Sequence, residues 1–114
     1  MITVNSSFFT DDDGRKLENL VYMHLRRKYT EIYYFSEKSE CDFVVFRKGT
    51  AIDALQVCFE LNPDNLDREL NGLMGALATL NLDKGRIITI DQKDHYKKDG
   101  RTIDVIPCHE FLLS

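Results

Sequence analysis

Residues 40–60 read Glu40-Cys41-Asp42-Phe43-Val44-Val45-Phe46-Arg47-Lys48-Gly49-Thr50-Ala51-Ile52-Asp53-Ala54-Leu55-Gln56-Val57-Cys58-Phe59-Glu60. Two apolar runs, Cys41 to Phe46 and Ile52 to Phe59, flank the Lys48-Gly49-Thr50 turn. Runs joined by so short a glycine-containing turn form an antiparallel hairpin. Both are apolar at nearly every residue, the pattern of strands covered on two faces. Within the first, the period-2 geometry of a strand puts Asp42, Val44 and Phe46 on one face. Within the second, it puts Ile52, Ala54, Gln56 and Cys58 together. A carboxylate buried without a partner costs several kcal/mol, so Asp42 needs a cation, a hydrogen-bond donor or a wet cleft. Gln56 and Cys58 point the same way, about 7 Å apart along the strand. Gln56 reads equally well as a satisfied core amide, and Cys58 as a small core hydrophobe.

Outward from the hairpin, the pattern alternates between periods. Upstream, Ile32-Tyr33-Tyr34-Phe35 is an aromatic, β-branched strand ending in the polar stretch Ser36 to Ser39. Before it, Asp11-Asp12-Asp13 places negative charge at a helix start. Leu17, Leu20, Val21, His24 and Leu25 then recur on one helical face, to about Lys28. Glu18 lies about 20° from Leu25 on the helical wheel, at the rim of that stripe. His24, on the apolar face, reads as a hydrogen-bonded core histidine. Downstream, Asn62-Pro63-Asp64 signals a helix start. The helix carries Leu66, Leu70, Leu73, Met74, Leu77 and Leu80 at helical spacing and ends near Asn81. Gly72 and Gly75 inside it suggest close packing against a sheet. Arg86 to Ile90 is a further strand. His95 to Lys98 and Thr102 to Ile106 flank Asp99-Gly100, a strong hairpin-turn signal. Pro107 stops the last strand, and His109 to Leu113 form a short terminal helix.

This order of helix, three strands, helix, strand and hairpin predicts an α/β fold with a mixed central sheet flanked by helices. The long helix between the third and fourth strands is the crossover that a parallel pair requires. With 114 residues, one domain over residues 1–114 is expected. No apolar run approaches the roughly 20 residues that span a bilayer. Cys41, Cys58 and Cys108 are odd in number and form no CxxC pair, which suits reduced thiols in a cytoplasmic protein. His95 and His109 make no zinc spacing with them. Fifteen Lys and Arg against nineteen Asp and Glu give a net charge of −4, where a domain living on nucleic acid usually carries a basic excess. The local basic spots Arg26-Arg27-Lys28 and Lys97-Lys98 with Arg101 read as solvated faces.

Glu18 on a first helix, Asp42 before Phe43-Val44-Val45, and Gln56-Val57-Cys58 on the next strand resemble the PD-(D/E)XK, or restriction-endonuclease-like, nuclease superfamily with its αβββαβ core. Leu17-Glu18-Asn19-Leu20-Val21-Tyr22, Glu40 to Val45, Leu55 to Cys58 and Val105-Ile106-Pro107 resemble more closely one uncharacterised module, the C-terminal domain of many archaeal and bacterial AAA-type ATPases. The resemblance covers Asp12 to Leu113. It implies a Mg²⁺ site on Glu18, Asp42 and Gln56, with catalysis by the same residues. The superfamily has a lysine where this chain has Cys58, so the ammonium that activates the attacking water is missing. The expectation is a catalytically degenerate C-terminal fragment of an ATPase, used for interaction or regulation. Its partner would be the upstream ATPase domain, which would also hold the ATP. A metal-dependent DNA endonuclease with an unconventional site, or a domain that binds nucleic acid without cutting it, are the alternatives. A homodimer is compatible with either.

Overall fold

A computed structural model of the chain describes residues 11–37 and 40–114; the side chains of Asp11 and of residues 35–42 lie outside what is described. The elements run α1 (Asp11–Lys28), β1 (Glu31–Glu37), β2 (Glu40–Arg47), β3 (Thr50–Val57), α2 (Leu66–Leu80), β4 (Lys84–Thr89), β5 (Asp94–Lys98), β6 (Arg101–Pro107) and α3 (Cys108–Leu112). The strands make one six-stranded sheet in the order β1-β2-β3-β4-β6-β5. β1, β2 and β3 are antiparallel, β3, β4 and β6 are parallel, and β5 is antiparallel to β6. The expected mixed α/β sheet with flanking helices is therefore present.

Turn chemistry fixes the hairpins. Lys48 and Gly49 close β2–β3, and Asp99 and Gly100 close β5–β6, each pair with both residues at positive φ. Two successive left-handed residues form the type I′ turn, whose twist matches that of the strands. Strand alternation then sorts the sheet into two layers. On one side α1 and α3 bury Leu17, Val21, Leu25, Cys108 and Phe111 against Phe43, Val45, Leu55, Val57 and Ile88. On the other, α2 buries Leu73 and Leu77 against Ala54, Ile87, Ile103 and Val105, with Leu70, Met74 and Leu80 packed around them. The crossover between the parallel strands β3 and β4 is α2 itself. No helix among the described residues is long and apolar enough to cross a membrane.

Two local expectations are corrected. The α2 helix begins at Leu66, one turn after Asn62. Asn62 instead closes its own turn, its Oδ1 accepting the backbone N–H groups of Asp64 and Asn65 at 2.9 and 3.0 Å. A short polar side chain that bonds locally stabilises the turn ahead of the helix as readily as the helix itself. Leu66, as the first helical residue, is only half-buried. Gly72 and Gly75 do not pack on the sheet: both are exposed, with open space where a Cβ would stand. The glycine that admits the helix is Gly85 on β4. A Cβ there would lie 3.1 Å from both terminal methyls of Leu77 and 3.2 Å from one of Leu73.

Candidate functional site

The C-terminal end of β3 carries the residues that the sequence singles out. Gln56 lies on the layer facing α2, between Leu55 and Val57, whose side chains enter the α1 layer. Its residue is 2% exposed. The Nε2 group of Gln56 donates to a carboxylate oxygen of Glu69, which stands on the first turns of α2 and is 3% exposed. A buried amide and a buried carboxylate thereby satisfy each other in the core, where an unmet polar group costs about 1–3 kcal/mol. Arg68 reaches the other Glu69 oxygen at 3.5 Å from the surface.

Cys58 sits one residue past β3 and continues the ladder, its N–H bonded to the Ile88 carbonyl at 3.0 Å. The thiol donates to the Glu60 carbonyl at 3.4 Å and receives the Asn65 amide at 3.8 Å. It packs half-buried against the α2 cluster, as the core-hydrophobe reading expects. Asn65 also donates to the Glu60 carbonyl at 3.0 Å, so the segment between β3 and α2 is knitted closed around the thiol. Glu69 was missed from sequence, yet the signal is there. Asn65, Glu69, Leu73 and Leu77 recur every four residues, which puts a carboxylate on the apolar stripe of its own helix.

Asp42 is the register partner of Gln56 in the β2–β3 ladder. Its side chain, like that of Cys41, lies outside the described residues. Glu18 does not join Gln56. It rides half-buried on α1, between Leu17 and Val21, and α1 covers the face of the sheet opposite to the one carrying Gln56. Two of the residues that the sequence groups at one Mg²⁺ site thus lie toward opposite faces of the sheet, and the Nε2 group of Gln56 is engaged by Glu69. Among the described residues no group of three or more His, Cys, Asp and Glu could hold a metal ion.

Two other polar places stand apart. His24 is buried, 8% exposed, as a core histidine is expected to be; its Nε2 has no hydrogen-bond partner, and the Ser114 backbone is the hydrogen-bonding group at the ring. Its ring meets Phe111 edge-on at 4.8 Å. Burial lowers its pKa below the usual histidine value, with Lys28, Arg27 and Arg86 acting in the same direction and the Ser114 backbone opposing them. On the same side of the sheet, Arg86 pairs with Asp53 at 2.5 Å and lies 5.3 Å from the centre of the Phe111 ring. A cleft of about 520 Å³ between β5, β6 and α3 is lined by Lys93, Asp94, His95, Asp104 and Glu110. Its polar side chains already have partners: His95 Nδ1 lies 2.6 Å from Asp104, Lys93 pairs with Glu110 at 3.0 Å, and Asp94 accepts from the Tyr96 hydroxyl at 3.0 Å. Burial raises the pKa of the Cys108 thiol, which keeps it protonated and inert.

No solved structure matches the chain. A curated protein, the uncharacterized protein MJ1544 of Methanocaldococcus jannaschii, is 32% identical over 123 aligned residues, covering 93% of this chain and 26% of that protein. The chain thus spans about a quarter of the length of the curated relative it matches. The family described as "Domain of unknown function (DUF4143)" matches residues 13–111, from the first turn of α1 to Phe111 of α3. That match takes in every strand of the sheet and both sides of the Gln56–Glu69 pair, and the chain belongs to this family.

Proposed function

We propose that this domain is a catalytically degenerate PD-(D/E)XK-like module that sits at the C-terminus of a larger AAA-type ATPase and serves interaction or regulation rather than cleavage. The observation that carries the reading is the Gln56–Glu69 pair beside the Cys58 thiol. The amide at the metal-ligand position donates its Nε2 group to a core carboxylate on α2, which fixes its orientation inside the core. The position of the water-activating ammonium is a thiol bonded to a backbone carbonyl. A positioned general base or acid typically contributes 10²–10⁴-fold, so its loss removes most of the chemical advantage such a site would have. The archaeal relative supports the modular part of the reading, since the matched region is 26% of that protein. The catalytic test uses the purified chain with Mg²⁺ or Mn²⁺ on supercoiled plasmid and on branched DNA. No nicking or cutting is expected. Metal-dependent cleavage that Asp42→Ala abolishes overturns the reading and promotes the metal-dependent endonuclease.

A further inference from the structure

We propose that the pole formed by the end of α1 and the β2–β3 turn is a docking surface for an acidic segment of a partner protein. The sequence holds Arg26-Arg27-Lys28 apart from Arg47-Lys48, and each pair of charges alone reads as ordinary surface. The fold joins them. α1 ends where β1 begins, and Glu31 of β1 pairs with Phe46 of β2, next to the turn. The Arg47 guanidinium lies 5.8 Å from the centre of the Tyr29 ring, just past α1. Arg26 donates to the Thr30 carbonyl at 3.1 Å, and the Lys48 N–H donates to the Glu31 carboxylate at 3.0 Å. Arg26, Arg27, Arg47 and Lys48 are all exposed. Cations gathered at one pole of a chain of net charge −4 make an attractive field for an anion there and a repulsive one elsewhere.

The occupant follows from the composition of the patch. A nucleic-acid duplex carries one charge per about 1.7 Å and extends past the cationic pole onto the acidic remainder of the surface. It would also meet Glu31, which stands among the cations. A short acidic polypeptide segment avoids the first penalty, because its charge can be confined to the cationic pole. Tyr33, 55% exposed and edge-on to Phe46 at 5.0 Å, adds an exposed aromatic ring on the other face of the same end of the β1–β2 pair. Arginine and tyrosine are the side chains enriched where protein interfaces concentrate their energy. The pole is also distinct from the Gln56 end of the hairpin: the five residue steps from Asp42 to Arg47 span about 17 Å of strand.

This inference rests on the interaction reading but uses the opposite end of the molecule, so the two fail separately. The test measures binding of a fluorescein-labelled peptide rich in Glu and Asp with interspersed Leu, by anisotropy on the intact chain at low and at physiological salt. Binding is expected, weakening as salt rises because exposed charges are screened beyond about 8–10 Å. The exposed-charge reversal Arg26→Glu with Arg47→Glu should weaken it by about tenfold or more. Reversal of the other basic spot, Lys97→Glu with Lys98→Glu, should leave it unchanged. The neutral pair Arg26→Gln with Arg47→Gln should fall between, and circular dichroism checks that each variant is folded. Equal loss from both reversals, no binding at low salt, or tighter binding of a DNA duplex than of the peptide overturns the proposal. DNA cleavage by the intact chain would overturn the degenerate reading and leave this surface untouched.

Discussion

On the α1–α3 side of the sheet, polar groups keep to the rim. Arg86 and Asp53 pair at about a quarter exposure, with Phe111 packed beneath the guanidinium. Among the described residues only His24 goes under there, and it goes under without a partner for Nε2. On the α2 side the arrangement is reversed: the helix surface is ordinary, and an amide and a carboxylate meet inside the core. The difference has an energetic meaning. A rim pair trades water for a partner and can return to water when the partner is lost, so it contributes little. A core pair has no such retreat, and each member depends on the other. The α2 layer is therefore the one whose stability is tied to a polar contact inside the core.

The largest expected effect breaks that pair. Glu69→Ala leaves the Gln56 amide buried with its donor unmet, a loss of about 1–3 kcal/mol in urea or thermal unfolding. Gln56→Leu alone takes the amide donor from a buried carboxylate that keeps Arg68 at 3.5 Å, and it should also destabilise. The double variant Gln56→Leu with Glu69→Leu should be closer to the wild type than the sum of the single losses, since apolar groups of like shape replace a buried polar pair at little cost. A coupling free energy near zero in that cycle would mean that the pair is incidental to the core.

The next effect probes the other face. Because the neutral form of His24 is favoured in the folded protein, its pKa is lowered relative to the unfolded chain. Wherever the unfolded chain binds more protons, stability rises with pH. The contribution of His24 is then fully present above its ordinary value of 6.5, and it is lost as pH falls below that value toward the folded one. Arg27 and Lys28 on its own helix and Arg86 from β4 are the cations that face the protonated ring, while the Ser114 backbone opposes them. His24→Leu should flatten the stability profile between pH 6.5 and the acid range. A profile of unchanged slope would mean that the ring protonates in place at no expense.

What the sequence made legible was periodic. The α1 helix ends at Lys28 as its stripe predicts, and both hairpins close on their glycine-containing turns. What it hid was direction. Period 2 groups Gln56 with Ala54 and apart from Leu55, but it does not say which helix covers which face. Glu18 therefore stood beside Gln56 in sequence logic and across the sheet from it in space. Glu69 is unmarked by any motif, because only its spacing to Leu73 and Leu77 shows that it points inward. The basic pole was invisible for the same kind of reason, its halves lying some twenty residues apart and meeting only through the β1–β2 pairing.

The glycines sharpen the comparison of layers at the smallest scale. A glycine inside a helix is a cost of up to about 1 kcal/mol relative to alanine, unless a neighbour needs the space. At Gly75 none does: the position is exposed and a Cβ there meets nothing within 4 Å. Gly75→Ala should therefore raise stability by up to about 1 kcal/mol, and Gly72→Ala by a similar amount. Gly85→Ala should act in the opposite sense. Its methyl would press on the Leu77 and Leu73 side chains at 3.1 and 3.2 Å, and forcing a group into a packed core costs about 1–3 kcal/mol. The leucine methyls must give by a few tenths of an ångström, and to the extent that α2 moves with them the Gln56–Glu69 hydrogen bond lengthens. Combined with Glu69→Ala, the Gly85→Ala loss should accordingly be smaller than it is alone, because there is then no bond left to strain. Losses that simply add would show that β4 and the polar pair hold α2 independently.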